Sequence, residues 1–395
     1  MKPFEPDQIK TFRTPKYTGV TLSLLSIFVL ASMIAVWDMM PASSESPSDP
    51  LSVHCEKLIE EPIRATAAQF SKEFNIPIEI KVAPLKENTL IVQPHIKQNN
   101  KNFDLLISSQ FISGNPDLNN EIFQESIPVA NHLPVFATRD NFSLTVNNWS
   151  DILDQNLTIG LIEQNPGSSR KIKLPQTVIQ ELQNTDRLLF FPDAHSLSET
   201  LLNSDKLDAA IVWHQIARKM HLRVLQLDEL QLKIIPVHAQ VHSRSHKATK
   251  SIMFARYLAA PSKGQFHFAN NHLIGVDGDR WAVEPVLNFY FEPSFKRSMT
   301  TKIEDFSKRE GVTINFSFPE PQKLIFAISS ISQSKTKHLL PDLLLVSRST
   351  ANRLPSTYKT MDHQQTESNN LFLFNSNSKY RTLATRFSVF DAQKL

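Results

Sequence analysis

The chain has 395 residues, 41% hydrophobic and 21% charged, which is globular material long enough for two or three domains. A formal net charge of +3, with no basic run interleaved with aromatics, gives no footing for a nucleic-acid partner. Eight glycines build neither GxGxxG nor GxxxxGK[ST], and one cysteine, Cys55, excludes an internal disulfide framework and a thiolate metal cluster.

Residues 1–17 are polar, with Lys2, Lys10, Arg13 and Lys16, and read as a cytoplasmic segment. Residues 18–37 carry no charge and are long enough to cross about 30 Å of hydrocarbon. A signal h-region is shorter and ends at small residues, whereas Trp37-Asp-Met-Met-Pro41 is a poor cleavage site, so 18–37 reads as an uncleaved transmembrane anchor. Residues 38–51, rich in Ser and Pro, form a linker to an exported body.

From Ser52 strand and helix patterns alternate. Val53–Cys55 is a short strand, with Cys55 read as a small buried hydrophobe, and 59–74 a helix that tolerates Pro62 in its first turn. A strand over 76–82, a helix near 88–98 and an apolar strand over 103–109 follow. Val135–Thr138, Leu157–Ile162, Arg187–Phe191 and Leu207–Trp213 read as strands, separated by helices over 148–153, 175–184 and 195–203. A returning strand over 231–241 and a helix over 247–260 close the unit, so 134–139 and 235–241 are the expected crossings between lobes; 261–285 is an irregular connector.

The pattern then begins again. Phe70-Ser-Lys-Glu-Phe returns 236 residues later as Phe306-Ser-Lys-Arg-Glu, and the stripe Ile59, Ile63, Ala67, Phe70 returns as Phe295, Met299, Ile303, Phe306. Ile76, Ile78, Ile80 and Val82 return as Val312, Ile314, Phe316 and Phe318. Phe103-Asp-Leu-Leu-Ile matches Pro341-Asp-Leu-Leu-Leu, and Leu133–Phe136 is paired with Leu371–Phe374, both at an offset of 238. Residues 286–395 are therefore expected to be a partial second copy that lacks the returning strand and helix, leaving a sheet edge to dock on the first copy or between chains.

The order of elements, with the words Phe70–Phe74, Asp104–Ser109, Pro134–Ala137, Asn148–Leu153, Glu163–Ser168 and Asp208–Trp213, resembles the periplasmic molybdate-binding proteins of ABC importers. The resemblance covers 52–260; 286–395 resembles the opening of the same domain, with Phe387–Phe390 echoing Trp149–Ile152. It implies a two-lobed periplasmic-binding-protein-like α/β fold with doubly wound sheets, a tetrahedral oxyanion such as molybdate held by hydroxyls and helix-terminal N–H groups, and delivery to an importer permease. On this chain it places ligand roles at Asn88, Thr89, Ser168, Arg170, His195 and Trp213, with Lys57 as added charge. Bland readings stand beside them: a solvated Lys57, N-caps at Asn88, Thr89 and His195, and a core Trp213. The first-helix turn departs from the family: Glu56 repels an anion, and Leu58 stands where a serine is expected.

Nothing here reads as catalytic. No GxSxG or HExxH occurs, and His238, His242 and His246 at strand spacing lie too far apart to share an ion unless a turn at Ser243–Ser245 brings one pair together, so neither an enzyme nor a metal site nor a cofactor is expected. Two functions remain open: an anchored extracytoplasmic solute-binding protein serving an importer or a sensor, and a solute-binding-like fold that has lost its ligand and become a scaffold or partner-docking module.

Overall fold

A computed structural model describes residues 49–83, 103–109, 122–140, 146, 148–162, 172, 174–225, 227–231, 233–332, 340–360 and 370–392. The candidate anchor 18–37 and the helix expected near 88–98 lie outside these residues. Among the described ones, no helix is long and apolar enough to cross a membrane.

The first lobe opens with β1 (Leu51–Glu56), a 3-10 turn over Lys57–Ile59 and α1 (Glu60–Phe74). α1 forms because Ile63, Ala67 and Phe70 recur at helical spacing and are buried, while Arg64 and Lys72 stay wet. Glu60 and Glu61 complement its positive end, and Asn75 stops it in the left-handed region at φ 53°. β2 (Ile78–Ala83) and β3 (Leu105–Ser108) flank β1 in parallel. β4 (Phe123–His132) is a strand the sequence pattern did not announce; Pro128 interrupts it, which an edge position tolerates.

The chain then crosses into the second lobe. There β5 (Pro134–Thr138), α2 (Trp149–Asp154), β6 (Ile159–Ile162), α3 (Gln176–Asn184) and β7 (Leu188–Phe191) precede α4 (Ala194–Asn203), β8 (Ala209–Trp213), α5 (His214–Lys219), β9 (Arg223–Leu225) and α6 (Asp228–Gln231). The sheet order is β7-β6-β8-β5-β9. β10 (Ile235–His242) returns to the first sheet, antiparallel between β3 and β4, giving β2-β1-β3-β10-β4. α7 (Ala248–Ala259) and α8 (Gly264–Asn270) follow, the latter inside the stretch expected to be irregular.

A third lobe holds β11 (Val286–Phe291), α9 (Lys296–Glu310), β12 (Thr313–Ser317), α10 (Pro321–Ser332), β13 (Leu343–Ser347), α11 (Arg348–Ala351), β14 (Tyr358–Thr360), β15 (Asn370–Asn375) and α12 (Arg381–Ala392). Its order, β12-β11-β13-β15-β14, is that of the first sheet position for position.

That match corrects two expectations. Leu371–Phe374 is not the counterpart of Leu133–Phe136. Phe374 pairs with Leu343 as Val241 pairs with Leu105, so β15 is the counterpart of β10, 133 residues apart. At the same offset Phe254 of α7 answers to Phe387 of α12, which displaces the comparison of 387–390 with 149–152. The third lobe therefore has its returning strand and helix. What it omits is everything between β4 and β10: β14 leads to β15 through residues 361–369, where the first lobe sends out 133–234.

The third lobe packs on the first through α7 and α9. Arg256, 9% exposed, donates from Nη1 to the Glu310 carbonyl at 3.2 Å and from Nη2 to that of Ala282 at 3.0 Å. Glu310, 1% exposed, is paired with Arg386 and with Arg309. Burial is the main reason the Arg256 guanidinium falls to a pKa of about 10, still charged at neutral pH. Gly278 is obligatory in the connector: a Cβ there would lie 2.0 Å from the Ala259 carbonyl oxygen.

Candidate functional site

The carboxyl ends of β1 and β3 and the crossing from β4 to β5 meet at the junction of the first two lobes, where a binding-protein fold places its ligand. β1 ends on Glu56, which is fully buried. Ser109, just past β3, donates its N–H to Glu56 Oε1 at 2.7 Å and its hydroxyl to Oε2 at 3.3 Å. These are charge-assisted bonds of the kind a bound anion would otherwise receive.

His132 is the last residue of β4 and is 1% exposed. Its Nε2 lies 3.6 Å from Glu56 Oε1, its Nδ1 lies 3.1 Å from Gln215 Oε1 on α5, and its ring centroid is 5.4 Å from that of Trp213. Burial pulls its pKa down to about 4, so the ring is neutral at pH 7. Neither His132 Nε2 nor Gln215 Nε2 has a hydrogen bond as the groups are oriented. Turning the Gln215 amide over satisfies the set best: its Nε2–H donates to Nδ1 and the ring proton on Nε2 faces the Glu56 carboxylate. Leu58 packs across the junction against the second lobe's core, and Lys219 of α5 reaches Glu61 of α1 at 2.7 Å. That last pair is exposed and contributes little.

The sequence candidates fare unequally. Lys57 turns away to Glu60 at 2.5 Å and is 67% exposed, a solvated helix-end pair. Trp213 is buried at the end of β8 against His132, on the junction but as packing. His195 sits exposed on the first turn of α4, where Asp193 accepts the N–H of Ser196 and provides the cap, in place of the cap expected from His195. No hydrogen bond, ion pair or ring contact links any two of these three. Asn88, Thr89, Ser168 and Arg170 lie outside the described residues. His132 and Gln215 escaped the sequence reading. The available signal was a polar Asn131-His132 wedged between the apolar runs of β4 and β5.

Elsewhere, Cys55 is buried, which pushes its thiol up to about 12 and keeps it protonated. His238 Nδ1 lies 3.0 Å from the Ser126 hydroxyl, and His242 Nδ1 accepts from Arg244 N–H. Among the described residues no group of His, Cys, Asp and Glu is arranged to hold a metal ion.

Two sheets joined by paired crossings, with helix starts and strand ends facing a common junction, define the bilobal class of solute-binding proteins. Residues 51–266 match the model of the bacterial extracellular solute-binding protein family, and the chain belongs to that family. Solved structures similar to it include the substrate-binding domain of a putative molybdenum ABC transporter from Clostridium difficile, at 16% identity and TM-score 0.48 over 58% of this chain and 99% of that one. The Azotobacter vinelandii periplasmic molybdate-binding protein is 10% identical, with TM-score 0.41 over 57% of this chain and 100% of that one. Peb3 from Campylobacter jejuni is 13% identical, with TM-score 0.41 over 57% and 100%. A search of curated proteins finds no match for this sequence.

Proposed function

We propose that this chain is an exported solute-binding-fold module, anchored through 18–37, whose first two lobes close on each other rather than on an oxyanion, and which acts as a scaffold or partner-docking module. One observation carries the reading: the Glu56 carboxylate occupies the anion-facing donors of Ser109, in a crevice sealed by Leu58 and His132. A second anion there would meet a buried negative charge at close range, an unfavourable contact in a low-dielectric site. The body lies in the periplasm or outside the cell, in keeping with the extracellular family it matches.

The second reading, favoured by the family match itself, is capture of a small anion such as molybdate by Asn88, Thr89, Ser168 and Arg170, with delivery to an ABC importer permease. Calorimetry of the full-length chain with molybdate, tungstate, sulfate and phosphate separates the two. Sub-micromolar heat that disappears in the Ser168→Ala, Arg170→Ala double variant establishes capture and ends the docking reading. Silence from all four anions supports docking.

A further inference from the structure

A cavity of about 460 Å³ lies away from the lobe junction, between the connector at 277–280 and the turn joining β15 to α12. The Arg280 N–H donates to the Lys379 carbonyl at 3.1 Å, which sets the two residues side by side. Their neighbours Trp281 and Tyr380 pack inward: Trp281 against the first lobe's core, Tyr380 within the third lobe's. Arg280 and Lys379 themselves line the cavity.

The lining acids do not neutralise this pair. Asp277 is taken by Arg381. Asp279 accepts the N–H of Thr382 at 2.8 Å and of Leu383 at 2.9 Å, capping α12. Among the described residues neither the Arg280 guanidinium nor the Lys379 ammonium has an ion pair or a side-chain hydrogen bond; Lys379 rests over the Tyr380 ring at 4.9 Å. Two cations on the lining of one cavity, without an ion pair among the described residues, favour an anion within it. Ser262 and Asn377 also line the space and add polar groups for the rest of a ligand.

We propose that this cavity is a binding site for a small metabolite bearing a carboxylate or phosphate group, which Arg280 and Lys379 hold jointly. The site is separate from the lobe junction and stands whether or not the docking reading does. Its test uses citrate and inorganic phosphate, titrated at low ionic strength into the full-length chain and into Arg280→Gln and Lys379→Gln variants. Among the described residues neither side chain makes a side-chain hydrogen bond or an ion pair, so Arg280→Gln is expected to melt as the parent does, and Lys379→Gln gives up only its contact with the Tyr380 ring. At least one titrant binds with a dissociation constant of about 1 mM or tighter, and each substitution weakens it about tenfold. Citrate alone assigns a carboxylate ligand, and phosphate alone a phosphorylated one. The Ser168→Ala, Arg170→Ala double variant, which reports capture between the lobes, binds as the parent does. Silence from both titrants overturns the site, as does binding that neither Arg280→Gln nor Lys379→Gln weakens.

Discussion

The first and third lobes are one design used in two settings. Both are built on an aromatic edge-to-face or tilted contact between the first helix and the returning helix: Phe70 with Phe254 at 5.0 Å, Phe306 with Phe387 at 5.2 Å. Each ends its first helix in the left-handed region, at Asn75 and at Gly311. Each ties a glutamate at or just past the end of its first strand to a serine at or just past the end of its central strand, Glu56 to Ser109 and Glu292 to Ser347. They differ in what lies over that pair. In the first lobe Leu58 and His132 seal it beneath the second lobe; in the third, Ser294 stands exposed at the position of Leu58. A glutamate–serine clasp that persists in a lobe with no partner lobe is an internal tie of the fold, so its presence at the junction is no sign of ligand capture.

The sharpest test of this likeness is the core. Phe70→Ala and Phe306→Ala each remove a fully buried ring and are expected to cost about 3–5 kcal/mol. Chemical denaturation of the two variants should give similar losses. A penalty confined to one of them would break the equivalence.

Glu310 marks where the lobes diverge, since the matching place on α1 is Phe74. Phe74 joins an aromatic cluster with Tyr257 and Trp281, whereas Glu310 sits between Arg309 and Arg386 beneath the Arg256 contact. Glu310→Ala removes the carboxylate that Arg309 and Arg386 share, with an expected loss of about 3–5 kcal/mol in thermal or urea unfolding. Arg386→Met in the same background should recover part of it. If the double variant is no more stable than the single one, the ion pair is not what fastens the third lobe.

The third test separates the lobes by pH. Among the described residues His132 has no counterpart in the third lobe, where β14 is described over Tyr358–Thr360. Its folded pKa is about 4 against an ordinary 6.5, with burial as the main cause, so between those values the unfolded chain binds the extra proton. Stability from this group is whole above about pH 6.5 and falls as the pH drops toward 4, by about 2 kcal/mol at pH 5. His132→Gln should flatten that loss in a melting series from pH 7 to pH 5. An unchanged slope would mean that the buried ring is not the acid-sensitive element.

Periodicity made the helices and central strands legible: α1 runs Glu60–Phe74 where the apolar stripe places it, and β5, β6, β7, β8 and β10 overlap their expected runs. The edge strand β4 was opaque, because a strand paired on one side and broken by Pro128 needs no clean alternation. α8 was hidden because its seven residues carry too little stripe to read. The returning strand β15 was visible, but a constant offset assigned it to the wrong partner; only hydrogen-bond register shows that a whole lobe has been skipped. At the site, Glu56 and Leu58 stood out as misfits. The contact of His132 with Gln215 was out of reach, since it depends on residues 83 positions apart meeting across a crossing.

The smallest effect reaches all three lobes. Each central strand is preceded by an aspartate whose backbone and side chain clamp the adjoining strand. Asp104 exchanges bonds with Ser52 at 2.8 and 3.0 Å, Asp342 with Asn288 at 2.8 Å twice, and Asp208 with Thr158 at 3.0 and 2.8 Å. In the first and third lobes the other carboxylate oxygen accepts a hydroxyl from the turn before the returning helix, Ser245 or Ser378. The second lobe has no such return, so the carboxylate of Asp208 makes only the strand clamp among the described residues. Replacing each aspartate by alanine removes one charge-assisted bond at Asp208 and two at the others, with Asp104 also giving up its ion pair with Lys247 at 3.8 Å. The expected costs are about 1–2 kcal/mol for Asp208→Ala and somewhat more for Asp104→Ala and Asp342→Ala. Equal losses at all three positions in urea titrations would show that the serine contact adds nothing, and that the likeness of the first and third lobes ends at their cores.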